Sequence, residues 1–194
     1  MESMRITAET VEATLEDTGL FISVYCRHDV VVAVTSSNIV RMRVRWVAGL
    51  PVVDSTVPVR LGWTRFTAPV TCLDPDTAII VEWLTVQARH IVADARMRFN
   101  GSILADVLDQ TAWESNVERT MGPDGINRIE CADGTILSLL PASDGDVVLL
   151  TDGRMHHIEY GHHGLIDQDR LASGLKTIIA DHEKRSRRRC VRNA

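Results

Sequence analysis

Polar and hydrophobic positions alternate over much of the chain, and in three stretches they recur at helical spacing instead. The first such stretch opens with Thr7 as a cap, with Glu9 at the positive end of the helix dipole and Ile6 and Val11 as a hydrophobic staple. Val11 and Leu15 share its apolar face, and Gly19 stops it as the residue after the C-cap. The runs 20–26 and 29–35 are β-branched and aromatic and are split by Arg27 and His28, which predicts two strands and a turn. A third strand, 38–48, places Val40, Met42, Val44 and Trp46 on one face and Arg41, Arg43 and Arg45 on the other. A further strand over 57–66 is weakened by Pro58 and Gly62.

Asp74 before Pro75 predicts a second helix start, and Ile80, Trp83, Leu84, Ala88 and Ile91 carry that helix over 75–92. Residues 96–99 and 103–108 then flank Asn100-Gly101, the dipeptide of a type I′ turn, so a hairpin is expected there. Asp124-Gly125, Asp133-Gly134, Asp144-Gly145 and Asp152-Gly153 punctuate the C-terminal third at strand-plus-turn spacing. They predict a meander with strands at 126–131, 135–140, 146–151 and 154–161. A last helix from Asp167 buries Leu171, Leu175, Ile178 and Ile179. The fold class that follows is α+β, an antiparallel sheet or sheets with helices packed on one face. Residues 1–183 form either one globular unit or two related halves, 1–94 and 95–183, and 184–194 read as a disordered basic tail.

Composition narrows the function classes. The chain has 194 residues, 45% hydrophobic and 24% charged, which are globular proportions. Its net charge is −5, although Lys184, Arg185, Arg187, Arg188, Arg189 and Arg192 crowd the last residues with no acid among them. The body is therefore more acidic than the total, which disfavours nucleic acid except through the tail. Cys26, Cys72, Cys131 and Cys190 form no C-x-x-C pair, and reduced thiols in a cytoplasm are expected. No basic and apolar leader opens the chain, and the run Val30–Val34 is far short of the roughly 20 residues of a membrane span. The sequence holds no Walker-type phosphate loop, no dinucleotide-binding glycine fingerprint and no nucleophile elbow, so no cofactor and no catalytic residue is expected.

Three constellations remain. Arg41, Arg43 and Arg45, about 7 Å apart along one strand face, can grip carboxylates or phosphates, with Trp46 joining them as a binding residue; the plain alternative is a solvated sheet face. His157, Glu159 and His163 fall on one face of a strand, opposite His156, Tyr160 and His162, and His157 with Glu159 supplies two metal ligands. The plain alternative there is a polar strand end entering a turn. Arg187, Arg188 and Arg189 can meet a nucleic-acid backbone, or stay solvated as terminal charge runs do.

The first helix from Ile6-Thr7-Ala8-Glu9 to Leu15-Glu16-Asp17-Thr18-Gly19-Leu20, the strand end Val44-Arg45-Trp46 before Leu50-Pro51, and Gly164-Leu165-Ile166-Asp167 before Leu171 resemble the bacterial YbjN family and the type III secretion chaperone-like fold. The resemblance covers about a fifth of the chain. It implies a small non-enzymatic domain that binds other proteins, with no catalytic residues to carry over. The expected function is accordingly a protein-binding adaptor, chaperone-like or regulatory module whose partner is another protein or a second copy forming a homodimer. A metal-dependent protein built on the histidines and nucleic-acid association through the tail are the alternatives.

Overall fold

The computed structural model describes residues 6–60, 63–122, 126–141, 147–151, 153–158, 161–162 and 164–192. In chain order the elements are α1 (Ala8–Asp17), β1 (Ser23–Arg27), β2 (Val30–Val34), a 3-10 turn (Ser36–Asn38), β3 (Arg41–Val47), β4 (Leu50–Arg60), β5 (Trp63–Phe66), β6 (Val70–Thr71), α2 (Thr77–Ser115), β7 (Glu118–Met121), β8 (Asn127–Glu130), β9 (Ile136–Pro141), β10 (Val147–Thr151), β11 (Arg154–Ile158), β12 (Gly161–His162), β13 (Leu165–Ile166) and α3 (Gln168–Arg192). All strand pairs are antiparallel, so the fold is α+β. Two compact units divide the chain, the first ending at Arg98 and the second beginning at Phe99, inside α2.

In the first unit, Thr7 caps α1 by accepting from the Thr10 amide at 3.3 Å. Gly19 takes φ +65, a conformation a Cβ would strain, and its N–H reaches the Glu16 carbonyl at 3.0 Å to close the helix. The sheet runs β1-β2-β3-β4-β5, with β6 also on β4. Period two divides it into faces. Val31, Ala33, Met42, Val44, Val53 and Val57 are buried on the inner face, and α1 contributes Val11 and Leu15 to the same core. Each of these except Ala33 contributes roughly 1.5–3 kcal/mol by leaving water. The strand expected over 57–66 is in fact two, β4 and β5, and β4 starts seven residues earlier at Leu50. Pro51 and Pro58 hide it from a pattern reading. Pro51 keeps its carbonyl useful by accepting from Cys72, and the register shifts between Pro58 and Arg60 where the missing amide falls. The edge strand β1 pairs only with β2 among the described residues, and it carries the exposed Cys26.

The expected hairpin at Asn100-Gly101 is replaced by helix, because α2 runs unbroken to Ser115. Asn100 is fully buried, and its side chain donates to the Gly164 carbonyl at 3.2 Å and accepts from the Ile166 amide at 3.0 Å. These tertiary bonds, with Ile103, Leu104, Val107 and Leu108 buried beside them, outweigh the local turn preference of the dipeptide. The helix also starts at Thr77 rather than Pro75: Asp76 is the cap, accepting from the Ala78 and Ile79 amides.

The second unit builds its core between one sheet face and two helices. The meander β7-β8-β9-β10-β11 presents Ile129, Leu137, Leu139, Val147 and Leu149, and against these lie the α2 residues above and Leu171, Leu175 and Ile179 of α3. Asp167 caps α3 by accepting from the Asp169 and Arg170 amides. The basic run expected as a separate tail continues α3 as helix to Arg192. No Gly or Pro interrupts it after Leu175, Arg and Lys are good helix formers, and their charge suits the negative end of the dipole.

Candidate functional site

The arginine stripe lands on the open face of the first sheet, as its alternation predicts. Register sets its neighbours. One row across β1 to β4 is Tyr25, Val32, Arg43 and Asp54, and the next, across β1 to β5, is Ser23, Val34, Arg41, Thr56 and Phe66. Asp54 is buried, and it accepts from Arg43 Nε at 2.6 Å and from Arg45 Nε at 3.5 Å. One carboxylate therefore serves two guanidinium groups, each still about 40% exposed. The Arg43 guanidinium also lies over the Phe66 ring, 5.2 Å from its centroid, a cation–π contact that fixes its plane.

Arg27 and Arg41 have no carboxylate partner among the described residues. Together with Arg43 they line a groove of about 400 Å³ whose other walls are Tyr25, His28, Val30, Val32, Thr56 and Phe66. Its floor is the row of half-buried valines, its rim is cationic, and Phe66 stands 67% exposed at one end. Such a surface attracts anions and offers apolar and aromatic area beside them. Sequence alone gives Arg41, Arg43 and Arg45. Tyr25, Arg27 and Phe66 become part of the site only through the strand register, which a single sequence does not display.

Trp46 does not join the stripe. It sits on the opposite face of β3 with Met42 and Val44, half-buried, and lines a separate cavity of about 370 Å³ with Ile6, Ala8, Asp29 and Gly49. The alternation already requires this, because an even-numbered position on β3 cannot share a face with odd-numbered arginines.

For the histidine cluster, Glu159 and His163 lie outside the described residues. His157 belongs to β11, where its backbone pairs with Val148, and its side chain lies outside the described residues, while its neighbour His156 pairs with Leu149. Among the described residues no group of three or more His, Cys, Asp or Glu can hold a metal. Arg187 and Arg188 are exposed on the last turns of α3, Arg187 lying 3.9 Å from Glu183, and the side chain of Arg189 lies outside the described residues. Cys131 offers no nucleophile. Burial, reinforced by Asp133 and Glu183, pushes its thiol up to about 11, so it stays protonated at neutral pH.

Comparison with family models, with curated proteins and with solved structures gives no match to this chain. Among the described residues no helix is long and apolar enough to cross a membrane.

Proposed function

We propose that this protein is a non-enzymatic binding module that docks an acidic, extended segment of a partner protein onto the open face of its first sheet, within a reducing cytoplasm. The observation that carries this reading is the groove of Tyr25, Arg27, His28, Val32, Arg41, Arg43 and Phe66, where Arg27 and Arg41 have no carboxylate partner among the described residues and Arg43 shares the buried Asp54 with Arg45. Side chains on one edge of an extended peptide repeat about every 7 Å, the same interval as Arg41, Arg43 and Arg45 along β3. Carboxylates at alternate peptide positions therefore meet successive guanidinium groups, their methylene stems and the peptide backbone cover the valines and Phe66, and the side chains between them point away from the sheet. The resemblance of α1 and the β3–β4 turn to the YbjN family points to the same class of function.

A fluorescent peptide of alternating glutamate and valine tests this by anisotropy, with Arg41→Gln and Phe66→Ala as variants. Both side chains are exposed, so the fold is expected to survive. Each substitution should weaken binding about tenfold, the scale of one charge-assisted or aromatic contact, and added salt should weaken it further. Unchanged affinity in both variants, or tighter binding of a single-stranded oligonucleotide than of the peptide, overturns the reading. Sedimentation of the protein alone reports whether a second copy competes for the same face.

A further inference from the structure

The apolar seam between α3 and the second sheet changes character at one end. Leu171, Leu175 and Ile179 fill the buried stripe of α3, and the next residues on that stripe are His182 and Ser186. The sheet changes in step. On the inner face, Leu149 is followed across the ladder by His156, and Thr151 pairs with Arg154. Gly153, at φ +71, forms the turn that brings Arg154 back beside Thr151. Between these two polar ends lies a cavity of about 520 Å³, lined by Thr151, Arg154, His156, His182 and Arg185. That volume is within the range of small-molecule sites.

Three features make it a built site. First, His182 is nine-tenths buried, and its Nδ1 meets Asp133 Oδ2 at 2.9 Å. Burial works to raise the Asp133 carboxyl, but the hydrogen bonds from His182 and Thr135 prevail and hold it down at about 2. An ionised carboxylate only accepts, so Nδ1 carries the proton and Nε2 is the nitrogen left for a ligand. Second, Arg154 and Arg185 have no carboxylate partner among the described residues, although each lines the same space. Third, the Thr151 hydroxyl is buried and has no hydrogen-bond partner, which leaves a donor unspent at the cavity wall. No acidic side chain lines the cavity among the described residues.

We propose that this cavity binds a phosphomonoester, its phosphoryl oxygens held by Arg154, Arg185 and the Thr151 hydroxyl and bridged by one proton to His182 Nε2. Two planar guanidinium groups from different elements suit the several oxygens of a phosphate better than the two of a carboxylate. Asp133 acts as a positioning residue, fixing the imidazole tautomer from the side remote from the ligand. The volume beyond the phosphoryl group accommodates a small organic moiety.

The test is calorimetric titration of the full chain with phenyl phosphate, with inorganic phosphate and benzoate as companions and ionic strength held constant. Variants are Arg154→Gln, Arg185→Gln, and the double substitution Arg187→Gln with Arg188→Gln on the same helix outside the cavity. Phenyl phosphate should bind one to one, more tightly than benzoate, and each single cavity variant should weaken it about tenfold or more. The double variant should stay within about twofold, since exposed distant charges are screened. Inorganic phosphate competing with phenyl phosphate places the phosphoryl group, not the ring, in the site. Any of three results overturns the proposal: no saturable phenyl phosphate binding, equal losses in the cavity and double variants, or saturable binding of a single-stranded RNA oligomer with none of phenyl phosphate. Circular dichroism of each variant confirms that losses are not unfolding, and Thr151→Val, which removes only the hydroxyl, supplies an independent variant of nearly the same shape.

Discussion

Gly101 occupies the interior of α2, where a Cβ would meet nothing nearer than Pro141 Cγ at 3.8 Å, an ordinary van der Waals distance. Alanine there removes the entropy cost of glycine in a helix, so Gly101→Ala should stabilise the protein by roughly 0.5–1 kcal/mol. A type I′ turn at the same position would need positive φ and would be destabilised by the same change. Urea midpoints of the two proteins decide between helix and hairpin, and a destabilised variant would contradict the helix. Asn100 explains why the dipeptide misleads. Its amide serves the Gly164 carbonyl and the Ile166 amide, partners more than sixty residues away that no local window contains.

Elements were legible in proportion to how local their signals are. The cap, staple and terminal glycine of α1 all lie within its own sequence neighbourhood, and the helix forms where they place it. The meander β8 to β11 follows its Asp-Gly punctuation within a residue or two at most ends. β4 was obscured because Pro51 is accommodated at the start of the strand and Pro58 beside a register shift, which depends on the neighbouring strand. The link between the β8–β9 turn and α3 was equally invisible, since Asp133 and His182 are 49 residues apart. That link has a pH signature. The Asp133 carboxyl is depressed from 3.8 to about 2 in the folded protein, so its stabilisation is complete above the unfolded value and is lost as pH falls through the folded one. Asp133→Asn should therefore be less stable than wild type at neutral pH, with the difference shrinking between about pH 4 and pH 2. Urea denaturation across that range reads it, and a difference that persists undiminished at pH 2 would contradict the assignment.

At the scale of the molecule, each unit arranges its own sheet with one face buried and assigns chemistry to what the core leaves over. The open face of the first sheet was half readable, because alternation fixed the arginines while Tyr25 and Phe66 arrive by register. The polar end of the α3 seam was not readable, because its five wall residues come from a hairpin and a helix that meet only when folded. Leu175 is fully buried in the core of the second unit, so Leu175→Ala should cost about 2–5 kcal/mol. Hydrogen exchange of the β8, β9 and β10 amides should accelerate accordingly, and unchanged protection there would show that α3 does not seal that core.

The edge strand β1 carries an exposed thiol, Cys26, on the margin of the very sheet proposed to receive a partner. Air oxidation during purification can join two chains through sulfur at that margin, yielding covalent pairs that mimic a native assembly. Stoichiometry should therefore be measured under reductant or with Cys26→Ser, and a pair that dissolves under either is an artefact of handling.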